Sequence, residues 1–291
     1  MDLKFGWLKE PDDPRDYTEQ NIQTKKPEFA RLKLPFFKQE KVINNDRYVI
    51  KGVYQKRNDC VAHTGYHLVG FICKKIFGKD VKISRRHLYY LLRFLMLNDE
   101  KPVNSEIVYP SEDTGGWIRK MIQSISLGIV PEDYIRYVAD KYNEKPDPYL
   151  VAQFAGSYKA LKAIKLDYPG IDREELIVSM KKWCEAGWPI AFGTLLGKSY
   201  YESFENGGII KAPNFLKEGI PIGAHAMMIP AGFDENTKRF RLQNSHLGFG
   251  DENCCGYIDE DVFRMKRNQK PIAQDIWVGI DYQALIKEQF N

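Results

Sequence analysis

The chain has 291 residues, 43% of them hydrophobic and 28% charged, values of a globular protein that exclude a largely disordered one. Its length fits one large domain or two ordinary ones and is enough to bury a core without disulfide staples. Lysine and arginine number 43 against 39 aspartates and glutamates, a formal net charge of +4, so the charge balance gives no argument for nucleic acid or an anionic membrane as partner.

The opening MDLKFGWLKEPDDPRDY is charged and proline-broken, without the apolar core of a secretory signal. Strongly apolar stretches such as 89–97 are interrupted, here by Arg93, and are too short to span a bilayer. The chain therefore reads as cytoplasmic. Its five cysteines, Cys60, Cys73, Cys184, Cys254 and Cys255, are odd in number and irregular in spacing, which argues against a disulfide framework or a zinc ribbon.

Residues 1 to about 45 carry Pro11, Pro14, Pro27 and Pro35 and little periodicity. They read as an extended arm that wraps a body and crosses to its second half. Residues 60–77 then show Ala62, Tyr66, Val69, Cys73 and Ile76 at steps of three and four, with Val61, Leu68 and Ile72 beside them. A helix apolar around most of its circumference is a buried one. Asn58 and Asp59 precede it as possible caps. A second helix is expected over 85–97 with Ser84 as cap, and a third between Gly116 and Gly128. The proline-containing stretch Asn143 to Pro148 marks a boundary, giving a helical lobe over 46–145 and a β-rich lobe over 146–291.

In the second half a helix is expected before Gly187, started by Asp172 and Glu175, with Leu176, Met180 and Trp183 on its buried face. Short strands follow at 188–192, 224–233, 239–243, 256–258 and 275–280, separated by turns such as GFDEN and GDEN. Helices first and antiparallel strands later imply an α+β architecture.

Three residues suggest chemistry. Cys60 opens the buried helix, where free amide hydrogens and the helix dipole favour thiolate, the nucleophilic form. His225 interrupts an apolar strand among Gly223, Ala224 and Ala226, small neighbours that leave room beside its ring. Asn244 ends the next strand. Singly, each type at such a position is commonly a packing or turn residue. A different grouping, Cys60, His63 and His67, shares one face of the first helix and has the spacing of a three-ligand metal site.

The order of cysteine, distant histidine and asparagine, with the segments around each, resembles the papain-like cysteine peptidases, in a form without a long propeptide. QKRNDCVAH is similar to the family's glutamine-to-cysteine segment, TGGWIRK to its glycine pair, GWPIAFG to a core strand, AHAMMIPAGFD to its histidine strand and NSHLGFGDENCCGYI to its asparagine segment. GWLKEPDDPRDY is similar to the opening of bacterial and viral members. The resemblance implies two lobes, the second β-barrel-like, with a cleft between them. It implies Cys60 as nucleophile, resting as a thiolate beside a protonated His225, with Asn244 orienting the imidazole. Gln55 would join the Cys60 amide in an oxyanion hole, where such a donor contributes about 2.7–4 kcal/mol. Gly115 and Gly116 would pair with an extended peptide or protein substrate, and Trp117, Ala226 and Gly193 would line its main pocket. A protein inhibitor is a further possible partner, and no metal or organic cofactor is required.

The sequence departs from the family at named positions. Gln55 stands five residues before Cys60, one fewer than usual, so its loop must turn differently. Asp59 sets a negative charge beside the sulfur. The tryptophan that covers the asparagine–histidine pair is His246 here, leaving Phe249 as the nearby ring to take over. These departures keep open a catalytically weak peptide-binding protein, and an acyltransferase or transglutaminase-like use of the same residues.

Overall fold

The computed structural model describes residues 3–25, 38–99, 101, 102, 104–158 and 161–281. Parts of the expected arm (1, 2 and 26–37) and the end of the β-rich half (282–291) lie outside the described residues.

The helical half is built around α1 (Cys60–Phe77), in which every residue from Cys60 to Cys73 is buried. That follows from its nearly all-round apolar surface. Two further helices, α2 (Arg85–Leu97) and α3 (Ile118–Leu127), close on it where Gly65 removes a side chain. A Cβ there would lie 2.6 Å from the Met121 sulfur and 2.7 Å from Leu88 Cδ2. Ser84 caps α2 by accepting the His87 N–H at 3.1 Å. Asp59 holds the corresponding place before α1 but does not cap it; its carboxylate instead accepts the Tyr137 hydroxyl at 2.7 Å.

In the β-rich half, α4 (Arg173–Glu185) is capped by Asp172, which accepts the Glu174 N–H at 2.8 Å. The main strands are β1 (Leu161–Lys165), β2 (Ile190–Leu196), β3 (Gly223–Ile229), β4 (Arg239–Gln243), β5 (Cys255–Asp259) and β6 (Ala273–Asp281). From one edge the order is β1, β6, β2, β3, β4, then the short strands 233–234 and 42–43. β5 pairs with β4 and, in parallel, with 209–210. β1 is not among the expected strands, and β2 starts two residues later than expected, after Pro189, which has no N–H for a ladder. The chain expected as one strand over 224–233 breaks after Ile229, with Ala231 in the left-handed region at φ 49°.

The architecture is α+β as expected, but the sheet does not close into a barrel. Its two ends are met by the N-terminal region rather than by each other. The Lys165 N–H of β1 donates to the Tyr17 carbonyl at 2.7 Å, and 42–43 pairs with 233–234. One edge thus meets residues 17 and 18, and the other ends in the short strand 42–43. Helix α1 lies on the sheet through Leu68, which fills the space over Gly279. No helix among the described residues is long and apolar enough to cross a membrane.

Phe192 on β2 is fully buried and meets Phe263 at 5.2 Å between ring centroids. Phe192→Ala should cost about 3–5 kcal/mol. Urea unfolding should show a lower midpoint with an unchanged slope.

Candidate active site

Cys60 is the first residue of α1 and is completely buried. The Ala226 N–H donates to its Sγ at 3.4 Å, so the backbone one residue beyond His225 lies against the nucleophile candidate. His225 stands on β3 opposite Thr194, and its Nε2 is 2.8 Å from Asn244 Oδ1. An amide oxygen can only accept, so Nε2 carries the hydrogen. The other ring nitrogen, Nδ1, is buried and has no hydrogen-bond partner among the described residues. Asn244 follows β4 directly, with its N–H held by the Cys254 carbonyl at 2.9 Å.

Gln55 reaches the same place in spite of its shorter loop, because Ser245 grips it twice. The Gln55 N–H donates to the Ser245 carbonyl at 2.9 Å, and Ser245 Oγ donates to Gln55 Oε1 at 2.5 Å. This fixes the amide so that Nε2 donates to the Lys4 carbonyl at 2.7 Å and to the Arg57 carbonyl at 3.1 Å.

The ring over His225 is His246 itself, not Phe249. The two imidazoles stack at 4.3 Å with 6° between their planes. Phe249 lies further back, stacked on Tyr200 at 6.3 Å. His246 Nε2 is 2.8 Å from the Lys4 carbonyl, which can only accept, so Nε2 bears the proton. Burial lowers the pKa of His246 to about 4, so Nδ1 is free to accept the Tyr200 hydroxyl at 2.6 Å. Tyr200 Oη in turn accepts from Asn244 Nδ2 at 2.8 Å. One chain of donors thus runs from His225 through Asn244, Tyr200 and His246 to Lys4. Sequence reasoning missed Tyr200 and Ser245. Tyr200 lies in the 3₁₀ turn Lys198–Phe204, remote in sequence from the asparagine segment, and no spacing rule marks it.

The cleft is filled by the chain's own N-terminal segment. The Gly116 N–H donates to the Gly6 carbonyl at 2.7 Å, and the Leu8 N–H returns to the Gly116 carbonyl at 3.0 Å. The Trp7 N–H donates to the Ala224 carbonyl at 3.1 Å. Gly6 must be glycine, since a Cβ would lie 1.7 Å from the Asn58 carbonyl oxygen. Gly115, at φ +86°, packs against the Gly6 carbonyl. The Trp7 indole covers Gly193, which faces Ala226 across the β2–β3 ladder. Phe5 meets His225 and His246 edge-on at 5.9 and 5.6 Å. Trp117 is half-buried and provides the N-cap position of α3.

A buried charge cluster anchors the segment. Glu10 accepts the Arg119 N–H at 2.8 Å, the Trp277 indole N–H at 2.9 Å and Lys165 at 3.2 Å. Asp16 pairs with Arg119 at 2.6 Å, and Asp275 accepts both the Trp7 indole N–H at 2.9 Å and the Glu10 N–H at 3.1 Å.

With the segment docked, the electrostatics differ from the expected resting ion pair. Burial pushes the Cys60 thiol up to about 12; the Ala226, Gly6 and Val61 N–H groups oppose that rise, and the Asp59 charge adds to it. Burial, then His246, holds His225 well below the ordinary histidine value. Burial away from water thus favours the neutral form of both groups in the docked state. The alternative ligand set does not form a site. His63 directs Nδ1 at the Asp59 carbonyl and Nε2 at Arg85, and among the described residues no three His, Cys, Asp or Glu side chains are grouped to hold a metal ion.

A helical half packed on an open, mainly antiparallel sheet, with the Cys60 sulfur against the backbone of the strand that carries His225, makes the papain-like cysteine protease fold. The chain matches xylellain, a cysteine protease from Xylella fastidiosa, with a TM-score of 0.68 and 20% identity over 94% of this chain and 95% of that one. It matches bromelain from Ananas comosus in complex with E64 with a TM-score of 0.54 and 14% identity over 82% and 98% of the two chains. The proform of the ragweed allergen Amb a 11, also a cysteine protease, gives 0.55 and 16% over 84% and 67%. What these structures share with the chain is the fold. No protein-family model and no curated protein matches the sequence.

Two measurements follow. Alkylation of Cys60 should be slow in the intact chain, and Gly6→Val, which cannot fit beside Asn58, should speed it by roughly tenfold or more. The second concerns pH. Burial and then the charges of Glu10 and Asp167 hold Asp275 above the usual carboxylate range, against Lys165 and the Glu10 N–H. Glu10 belongs to the docked segment, so docking raises the proton affinity of Asp275. A raised acid favours docking at low pH and loses that contribution as pH climbs through its docked value. Amide exchange at 6–8, corrected for intrinsic rates, should therefore report more frequent opening from neutral into alkaline pH, and Asp275→Asn should flatten the trend.

Proposed function

We propose that the chain is a papain-like cysteine peptidase held latent by residues 4–10 of its own sequence. The observation that carries this is the His225–Asn244 pair at 2.8 Å, brought with Cys60 to the mouth of α1. In the open form water returns to the cleft and the burial cost of both charges falls. His225 Nδ1 takes the thiol proton, and the sulfur attacks the scissile carbonyl carbon. The C–N bond then breaks, His225 passes the proton to the departing amine, and a thioester remains. A water molecule, deprotonated by the same nitrogen, hydrolyses the thioester, and the proton returns to sulfur. Gln55 Nε2, freed from the Lys4 carbonyl, and the Cys60 N–H would hold the oxyanion. Gly115, Gly116 and Trp117 would flank an extended peptide, with Ala226 and Gly193 under its side chain.

Latency is supported by occupancy. Every backbone group expected to bind substrate at Gly116 is already bonded to Gly6 or Leu8, and the expected pocket holds Trp7. Phe5 lies at His225 and Lys4 at His246 stacked on it, while Gly6 to Leu8 lie at the glycine pair, so the segment straddles the nucleophile.

The test uses the full chain opened by Gly6→Val. An epoxide probe should label Cys60 and a mixed peptide substrate should be cut, and both should be lost on adding Cys60→Ala or His225→Ala. Cleavage that survives Cys60→Ala overturns the assignment. Incorporation of heavy oxygen from labelled water into the new C-terminus separates hydrolysis from acyl transfer to an amine.

A further inference from the structure

The pocket that Trp7 fills contains a feature the peptidase reading does not use. Gly193 on β2 and Ala226 on β3 face each other and form a flat slot, in which a Cβ at Gly193 would come within 2.0–2.3 Å of the indole. The end of the slot is not apolar. Asp275 Oδ2 stands there and accepts the indole N–H at 2.9 Å. Asp275 is aimed by a local irregularity of β6. The ladder to β2 shifts register between Gln274 and Trp277, and Asp275 itself sits at φ 54°. Few residues other than glycine, asparagine and aspartate adopt this region, so the irregularity suits an aspartate. Bulges of this kind re-aim side chains beside binding sites.

We propose that Asp275 is a specificity-determining residue, and that the Gly193–Ala226 pocket selects a tryptophan side chain in the substrate. This rests on the peptidase reading. Gly6 lies at the nucleophile and Trp7 is its neighbour, so the selected residue is the one next to that whose carbonyl is attacked. The slot is made by backbone and small residues on sheet strands, so it persists when the segment leaves. A phenylalanine fills the slot but leaves the buried Asp275 oxygen without its donor, and an unmet acceptor is what gives such sites strong discrimination. A lysine or arginine is disfavoured for a different reason. Glu10 leaves with the segment, and Lys165, which it had paired, remains near Asp275 as a cation that repels a second one.

Binding tests this without requiring turnover. The full chain carrying Gly6→Val and Cys60→Ala is titrated by calorimetry with blocked peptides that differ only at the selected position, as Trp, Phe, Leu or Arg. Trp should bind at least tenfold more tightly than each of the others. Asp275→Asn keeps an acceptor oxygen and should keep the preference, whereas Asp275→Leu should bring Trp and Phe together. Equal binding of Trp and Phe, no peptide binding at all, or a Trp preference that survives Asp275→Leu overturns the proposal. Selective binding in this variant, combined with no cleavage by the same chain retaining Cys60, would overturn the peptidase reading and leave the pocket assignment standing.

Discussion

The Gly6 backbone passes so close to the mouth of α1 that its α-carbon can carry no side chain. That approach places one carbonyl on Gly116 and one N–H beside the Cys60 sulfur, and the rest of the cleft follows from it. Residues before Gly6 are directed onto the two histidines, and residues after it into the slot at Gly193 and down to the Glu10 cluster. The cost of burying four charged groups, Glu10, Asp16, Arg119 and Lys165, is offset because each is paired and hydrogen-bonded to the others. The same pairing means that loss of one carboxylate would leave Arg119 and Lys165 sharing the other.

Protonation state and geometry are coupled at this site. With the segment docked, burial favours the thiol at Cys60 and the neutral imidazole at His225. The chain of donors from His225 to His246 runs in one direction only, since amide and peptide carbonyls at Asn244 and Lys4 can do nothing but accept. Tyr200 is the joint of that chain, with its oxygen accepting from asparagine and its hydrogen passing to His246. His246 therefore supplies both a flat ring over His225 and an N–H donor at its edge.

Much of this was legible in the sequence. The limits of 60–77 and 85–97 follow from apolar spacing and from Ser84, and the α+β order follows from where periods of three to four give way to alternation. Gln55, Cys60, His225 and Asn244 stood out through the segments around them. The resemblance implied a barrel-like sheet; the sheet is open, and its edges are met by N-terminal residues whose composition looks like linker. Tyr200 and Asp275 could not be found in advance. One is brought in by a 3₁₀ turn, and the other points inward only because β6 shifts its register.

Local chemistry along the chain determined which residues are nucleophilic, basic or small, and which stretches coil or extend, because those properties depend on near neighbours. Tertiary structure alone decided that Gly6 and Trp7 return to the helix mouth, that Ser245 orients Gln55, and that burial removes the charges from Cys60 and His225. Those outcomes depend on distances between residues up to 268 positions apart, as between Trp7 and Asp275, and only folding sets such distances.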